Sequence, residues 1–244
     1  MSVLEARVVT AGYGSSPIVW EISLQAKVGQ VVAIVGPNGA GKSTFLKAVF
    51  GLLPLTSGAI LLDEIDITAL QSYERARVGL AYVPQVSNVY ATMSIIENLE
   101  IGAFGARALK KSEIKGRITD VLDIFPDLAV MPTKKGGDLS GGQRNMLGMA
   151  RAMMGNPKAL LLDEPTAGLS PKYVDVVWQQ VRRIADMGTT IVVVEQNVER
   201  AIANSEWVYV LVAGRNRHDG PAEMVATLDL GQIFLGAVAP VVRE

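Results

Sequence analysis

A glycine-rich segment that follows an apolar strand is the feature of this chain that most constrains its fold. Residues 31–35 read Val-Val-Ala-Ile-Val, which is typical of a strand buried on both faces of a parallel sheet. The next segment fits the phosphate-loop pattern Gly-x-x-x-x-Gly-Lys-(Ser/Thr). Its members are Gly36, Pro37, Asn38, Gly39, Ala40, Gly41, Lys42, Ser43 and Thr44. A helix is predicted to follow, from Ser43 to about Phe50.

The physical chemistry of this segment indicates a polyphosphate ligand. Glycines let the backbone curl so that successive N–H groups point inward, and the N-terminus of the following helix adds a partial positive charge. Lys42 can reach the β- and γ-phosphates, and Ser43 places a hydroxyl where Mg²⁺ binds. The alternative is a strand-to-helix turn without a ligand, which the preceding buried strand disfavours. The sequence therefore predicts a bound nucleotide with its Mg²⁺.

Composition limits the class of protein. The chain has 244 residues, enough for one large domain or for a core with an inserted subdomain. It contains no cysteine, so disulfides and thiolate metal sites are excluded. A net charge of −1 argues against a nucleic-acid partner held by a broad basic surface. We find neither an apolar run of transmembrane length nor a secretory signal, so we expect a cytoplasmic location.

Alternating apolar and helical patterns predict an α/β fold. We expect a P-loop NTPase core with a mostly parallel sheet, an N-terminal antiparallel β layer and an inserted helical subdomain. The predicted strands are 8–10, 22–24, 58–62 with 63–67, 80–84, 159–162, 190–194 and 207–212 with 215–217, with a loop at 12–17. The predicted helical features are a capping box from Ser94 to Glu97, a helix from Ile114 that ends before Pro126, a helix with core methionines 146, 149, 153 and 154, and a helix at 171–187.

Two carboxylates follow the apolar strand 159–162. Asp163 lies where a Mg²⁺-associated carboxylate belongs, at the carboxyl end of a strand of a parallel sheet. Glu164 comes next and could accept a proton from an attacking water. A polar turn aided by Pro165 is the alternative, and the phosphate loop favours the functional interpretation.

A second motif indicates the kind of nucleotide protein. Residues 139–143 read Leu-Ser-Gly-Gly-Gln, and Ser140 with Gln143 also forms a capping box. Together with residues 36–44 and 160–165, this segment resembles the nucleotide-binding subunit of an ABC transporter over essentially the whole chain. The resemblance implies ATP as the nucleotide and a head-to-tail dimer. In such a dimer, one subunit's phosphate loop is covered by the other's Ser140, Gly141, Gly142 and Gln143.

Further positions carry over from this resemblance. Tyr13 matches the aromatic residue that stacks on adenine, and Gln85 matches the glutamine that senses Mg²⁺ and the membrane partner. Two positions depart from the general pattern: Gln196 stands where a switch histidine is usual, and Ser170 stands where an aspartate is usual. The only histidine, His218, is expected on the surface. These departures resemble the ATPases of branched-chain amino-acid importers and of their urea or amide relatives.

The resemblance implies a single ABC ATPase domain over residues 1–244. Residues 1–85 and 155–244 are predicted as the nucleotide-binding core, and residues 86–154 as the helical subdomain. The implied function is ATP hydrolysis on the inner face of a membrane, with permease subunits, a second ATPase subunit of the same or a related kind, and indirectly a solute-binding protein as partners. Two alternatives stay open: a soluble ABC ATPase without a transport function, and a weakly catalytic regulatory partner.

Overall fold

The computed structural model describes residues 2–14, 16–106 and 111–235. The strands are β1 (Ser2–Tyr13), β2 (Ser16–Lys27), β3 (Val31–Val35), β4 (Leu55–Leu62), β5 (Ile65–Asp66), β6 (Leu80–Val83), β7 (Ala159–Asp163), β8 (Thr190–Val194), β9 (Trp207–Val212) and β10 (Arg215–Pro221). The helices are α1 (Lys42–Phe50), α2 (Ser72–Val78), α3 (Ile95–Ala106), α4 (Lys111–Ile124), α5 (Pro126–Ala129), α6 (Gly141–Met153), α7 (Pro171–Asp186), α8 (Val198–Ala203), α9 (Ala222–Val225) and α10 (Leu230–Phe234). A single 3₁₀ turn spans Gly136–Asp138 within the described residues.

Two sheets form the framework of the part of the chain that the structure describes. The first is antiparallel with strand order β2-β1-β4-β5, and the second has the order β10-β9-β3-β8-β7-β6. Strands β9, β3, β8, β7 and β6 run parallel, and β10 pairs antiparallel with β9 at one edge. The carboxyl ends of β3, β8, β7 and β6 are therefore neighbours, so the loops that follow these four strands meet at one edge of the sheet.

Strand β3 shows why the central sheet is buried on both faces. Val31, Ala33 and Val35 belong to a core that also contains apolar residues of α3 to α7, whereas Val32 and Ile34 belong to a second core with α1 and the antiparallel sheet. Successive side chains of a strand point to opposite faces, so an unbroken apolar run supplies both cores. Helices therefore cover both faces of this sheet, and α1 shares its face with the antiparallel layer.

The predicted fold class is confirmed, and several boundaries differ. Strands β1 and β2 are longer than the predicted strands 8–10 and 22–24, and they shorten the loop predicted at 12–17 to a hairpin turn. Gly12 permits this close pairing, since a Cβ on it would lie 2.0 Å from the Ser16 carbonyl oxygen. Ser15, in the same predicted loop, lies outside the described residues.

Helices α3 to α6 lie between β6 and β7 in the chain, where the sequence predicts a helical subdomain. The capping box at the start of α3 is present: the Glu97 amide donates to Ser94 Oγ at 3.2 Å and the Ser94 amide donates to a Glu97 carboxylate oxygen at 2.7 Å. Helix α4 ends at Ile124, before Pro126, and the four methionines of the α6 region are buried. The boundaries 86 and 154 of the subdomain stay a prediction.

Candidate active site

The loop between β3 and α1 forms a cavity of about 300 Å³. Gly36 lies so close to β9 that a Cβ on it would stand 2.0 Å from the Leu211 carbonyl oxygen. Gly41 has φ of 92°, and a Cβ there would stand 2.6 Å from Val19 Cγ1. These positions require glycine, and the loop adopts the curled path that the sequence predicts. The cavity is lined by Ile18, Asn38, Gly39, Ala40, Gly41, Lys42, Ser43, Thr44 and Glu164.

Lys42 is the cation of this cavity. Its side chain is buried, and Nζ donates to the Gly36 and Pro37 carbonyl oxygens at 2.8 and 3.0 Å. Burial lowers the pKa of Lys42, while the charges of Glu164 and Asp163 act in the opposite direction. The two carbonyls hold the ammonium group at the mouth of the loop, where it can contact anionic oxygens.

Asp163 ends β7 beside the first turn of α1. Ser43 Oγ donates to Asp163 Oδ1 at 2.7 Å, and the Tyr82 hydroxyl of β6 donates to Oδ2 at 3.0 Å. Burial, and then the Asp163 charge, raises the pKa of Tyr82, so its hydroxyl stays a donor. Asp163 is buried, and these contacts place a hydroxyl and a carboxylate side by side at the phosphate loop.

Glu164 brings together two loops that the sequence singles out separately. Gln85 Nε2, after β6, and Gln196 Nε2, after β8, donate to the same oxygen, Glu164 Oε2, at 2.7 and 2.5 Å. The Glu164 backbone has a left-handed φ of 50°, a conformation that costs an L-residue about 1–2 kcal/mol. Its amide donates to the Val194 carbonyl oxygen at 2.9 Å. The carboxylate is thus fixed through Oε2.

The segment that begins α6 is placed differently. Ser140 caps the helix: the Gln143 amide donates to Ser140 Oγ at 3.3 Å, and the Ser140 amide donates to Gln143 Oε1 at 3.1 Å. Ser140 and Gly141 are exposed, whereas Gly142 packs so closely on Tyr173 that a Cβ would stand 2.6 Å from its ring. In the part of the chain that the structure describes, none of residues 140–143 lines the phosphate-loop cavity.

Three other singled-out residues occupy more ordinary positions. Tyr13 ends β1 with half of its surface exposed, so its ring is open to stacking. Ser170 is the N-cap of α7, but its side chain makes no capping hydrogen bond. His218 lies on the edge strand β10 opposite Val210 and is half-buried.

Sequence reasoning missed several residues that contact the site loops. Asn88 Nδ2 donates to Asn145 Oδ1 at 2.8 Å, and Asn145 Nδ2 donates to the Pro165 carbonyl oxygen at 2.6 Å. This chain of amides joins the loop after β6, helix α6 and the loop after β7. Glu195, directly after β8, is buried and accepts from Thr166. Glu195 follows an apolar strand, as Asp163 ends one. The signal that identified Asp163 could therefore also have identified Glu195.

Comparison with known proteins gives the family. The ABC transporter family model matches residues 19–167, which is more than half of the chain. The chain belongs to the ABC transporter family. It is an ABC transporter ATP-binding subunit and, as a member of this family of ATP-binding cassettes, an ATPase. Subunits of this family work with membrane permease components and form dimers.

Its relatives belong to transport systems for different substrates. LivF of Archaeoglobus fulgidus, a probable branched-chain amino acid transport ATP-binding protein, is 42% identical over 215 residues, which cover 88% of this chain and 90% of the relative. LptB of Escherichia coli K12, the ATP-binding protein of a lipopolysaccharide export system, is 31% identical over 237 residues, with 97% and 98% coverage.

A solved structure adds the nucleotide and the dimer. The ATP-binding cassette MJ0796, a dimer in a post-hydrolysis state bound to ADP and Pi, has a TM-score of 0.78 and 27% identity, with 90% of this chain and 98% of that chain covered. This likeness supports a nucleotide-binding cassette fold for the chain. In the ranges that the structure describes, no helix is both long and apolar enough to cross a membrane.

Proposed function

We propose that this subunit hydrolyses ATP to drive import of branched-chain amino acids or related small polar solutes. The observation that carries the hydrolysis is that Lys42, Ser43 and Glu164 line one cavity, with Asp163 accepting a hydrogen bond from Ser43 beside it. The observation that carries the solute class is the 42% identity to LivF, which exceeds the 31% identity to LptB. The Gln196 and Ser170 departures favour the same subgroup.

Glu164 is the proposed general base. With Oε2 occupied by two amide donors, Oε1 makes no hydrogen bond within the described residues and is the oxygen that can accept a proton from water. Gln85 and Gln196 orient this carboxylate and, with their neutral amides, can also contact a γ-phosphate. Lys42 binds the β- and γ-phosphates, and the loop N–H groups of residues 36–44 hold the rest of the anion. Tyr13 stacks on the adenine.

The residues present fit a magnesium ion. Ser43 Oγ and Asp163 Oδ1 lie 2.7 Å apart, and Mg²⁺ prefers oxygen ligands from one or two carboxylates together with substrate phosphates and water. Gln85 uses its amide nitrogen on Glu164, which leaves its amide oxygen available. We propose Ser43, Asp163 and Gln85 as the residues that hold Mg²⁺. The ion supplies charge neutralisation for the β- and γ-phosphates.

We also propose that the site is completed by a second ATPase subunit. Ser140 and Gly141 expose a hydroxyl and backbone donors at the N-terminus of α6, which favours anions. In the described part of the chain, residues 140–143 do not line the cavity of their own chain. We therefore propose that Ser140, Gly141, Gly142 and Gln143, in the first turn of α6, contact the phosphates bound by a partner. The partner is a second copy or a related chain. The assembly lies on the inner face of the membrane with permease subunits, supplied by a solute-binding protein.

Uptake by cells tests the solute class. In the organism that encodes the chain, uptake of labelled leucine, isoleucine and valine should require the wild-type gene and be lost with Glu164→Gln. The matched control is Glu199→Gln, which makes the same change on an exposed residue of α8.

The outcomes separate the candidate functions. Loss of amino-acid uptake with normal cell-surface lipid supports the importer. Normal amino-acid uptake together with accumulation of lipopolysaccharide in the cell would favour an exporter, as the likeness to LptB allows. Urea and amide uptake are measured in the same strains to resolve the related solutes.

A further inference from the structure

A buried carboxylate outside the proposed reaction joins two loops of the site. Glu195 follows β8 and is 2% exposed. Its amide donates to the Ile34 carbonyl oxygen at 3.2 Å, which ties it to the strand that leads into the phosphate loop. A carboxylate this deeply buried is costly unless hydrogen bonds stabilise it, so its partners indicate what it does.

The partners of Glu195 come from the loops that carry the proposed catalytic residues. The Thr166 amide and Thr166 Oγ1 donate to Glu195 Oε1 at 3.2 and 2.8 Å, and the Gln196 amide also donates to the carboxylate. Thr166 is two residues after Glu164. The carboxylate therefore spans from the Glu164 loop to the Gln196 loop, alongside the direct Gln196–Glu164 hydrogen bond.

We propose that Glu195 is a positioning residue for ATP hydrolysis, whose carboxylate fixes the Glu164 loop against the Gln196 loop. This inference rests on the catalytic function proposed above for Glu164. The Glu164–Gln196 contact holds a single oxygen of the base, whereas Glu195 fixes the backbone on both sides of that contact. Displacement of a reacting group by about 1 Å can cost about a hundredfold in rate, so loop position matters directly for turnover.

The ionisation of Glu195 should make ATP turnover depend on pH. Burial raises the pKa of Glu195 to about 7, the three hydrogen bonds act against this, and the Glu164 charge adds to it. Glu164 is the titratable group that acts on Glu195 from the neighbouring loop in the described part of the chain. The carboxylate binds its donors most strongly when ionised, so turnover should fall as pH drops below about 7.

The experiment compares Glu195→Gln with wild type as the full chain, in the assembly that supports wild-type turnover. We expect kcat for ATP to fall by about ten- to a hundredfold, the effect of losing a charge-assisted hydrogen bond. ATP affinity by calorimetry should stay within about twofold, because Glu195 does not line the phosphate-loop cavity. The fall of kcat below pH 7 should disappear, since glutamine does not titrate. Glu199→Gln, exposed on α8, is the control and should behave as wild type.

A second pair of variants covers the case in which Glu195→Gln fails to fold. Thr166→Ser keeps the hydroxyl donor and should keep turnover, whereas Thr166→Val removes it and should lower kcat without changing ATP affinity. An unchanged kcat and pH profile in folded Glu195→Gln overturns the inference, as does equal turnover in the two Thr166 variants. Glu164→Gln is run in parallel: wild-type turnover there contradicts the catalytic function itself, separately from the function of Glu195.

Discussion

Replacement of Lys42 by alanine tests the phosphate site in a way that the structure allows us to quantify. Nζ is held within 3.0 Å of two loop carbonyl oxygens, on a side chain that is 5% exposed. Hydrogen bonds to charged groups contribute about 1.5–3 kcal/mol, and 1.4 kcal/mol is a tenfold change in affinity. Lys42→Ala should therefore weaken ATP binding by about ten- to a hundredfold. The fold should persist, since the change also removes a buried charge.

Isothermal titration calorimetry of the purified chain with Mg²⁺ and ATP measures this change. Lys47→Ala is the matched control, because it removes a lysine from the last turn of the same helix and outside the cavity lining. Circular dichroism and urea unfolding are used to check that both variants are folded. Equal ATP affinity in a folded Lys42→Ala variant would refute the placement of Lys42 on the phosphates.

Three further predictions concern pH and packing. The pKa of Glu195 rises from 4.5 to about 7 on folding, so between these values the native state holds a proton that the unfolded chain has released. Stability should therefore fall by up to about 1.4 kcal/mol per pH unit as pH rises from 4.5 to about 7. Plotted against pH, the urea midpoint should show a flatter slope for Glu195→Gln than for wild type, and parallel slopes contradict this. His218→Ala should leave the pH–rate profile unchanged, because the switch position is taken by Gln196, which does not ionise, and not by His218. Loss of an inflection near neutrality in this variant would mean that Gln196 is not the switch residue. Gly36→Ala should destabilise the fold by about 1–3 kcal/mol, because its Cβ would stand 2.0 Å from the Leu211 carbonyl oxygen; an unchanged urea midpoint contradicts that packing.

The sequence was informative where one local pattern determines a contact across the sheet. Ser43 and Asp163 are 120 residues apart in the chain, yet each follows or ends an apolar strand at the same edge of a parallel sheet. Because the carboxyl ends of parallel strands lie at one edge of a sheet, Ser43 and Asp163 are predicted to lie close together. This is the rule by which the sequence places them. The rule also applies to Gln85 and Gln196, although their shared use of Glu164 Oε2 depends on side-chain geometry that no spacing encodes.

Other features depend on tertiary contacts that the sequence does not show. Helix α2 is seven residues long, too short for a clear apolar period, and Arg75 within it is buried because its guanidinium donates to the Ala48 and Val49 carbonyl oxygens near the end of α1. Such a contact cannot be read from local composition, which predicts an exposed arginine. Asn88 and Asn145 were missed for the same reason, as polar residues whose partners are remote in sequence.

The measurement that tests the central claim most directly is steady-state ATP turnover by Glu164→Gln. This change keeps the shape of the side chain and removes the base, and general-base catalysis contributes typically about 10²–10⁴-fold. We predict a loss of that size with ATP binding retained. A closed dimer should then accumulate with Mg²⁺ and ATP in light scattering, and Ser140→Arg, which obstructs the exposed start of α6, should prevent it.

The assay uses whichever partner subunit and permease support wild-type turnover, so that a missing component cannot imitate the loss. The account predicts slow turnover, intact ATP affinity and an ATP-dependent dimer in Glu164→Gln. Near-wild-type turnover in a folded Glu164→Gln variant would contradict the claim that Glu164 is the base of an ATP-hydrolysing site.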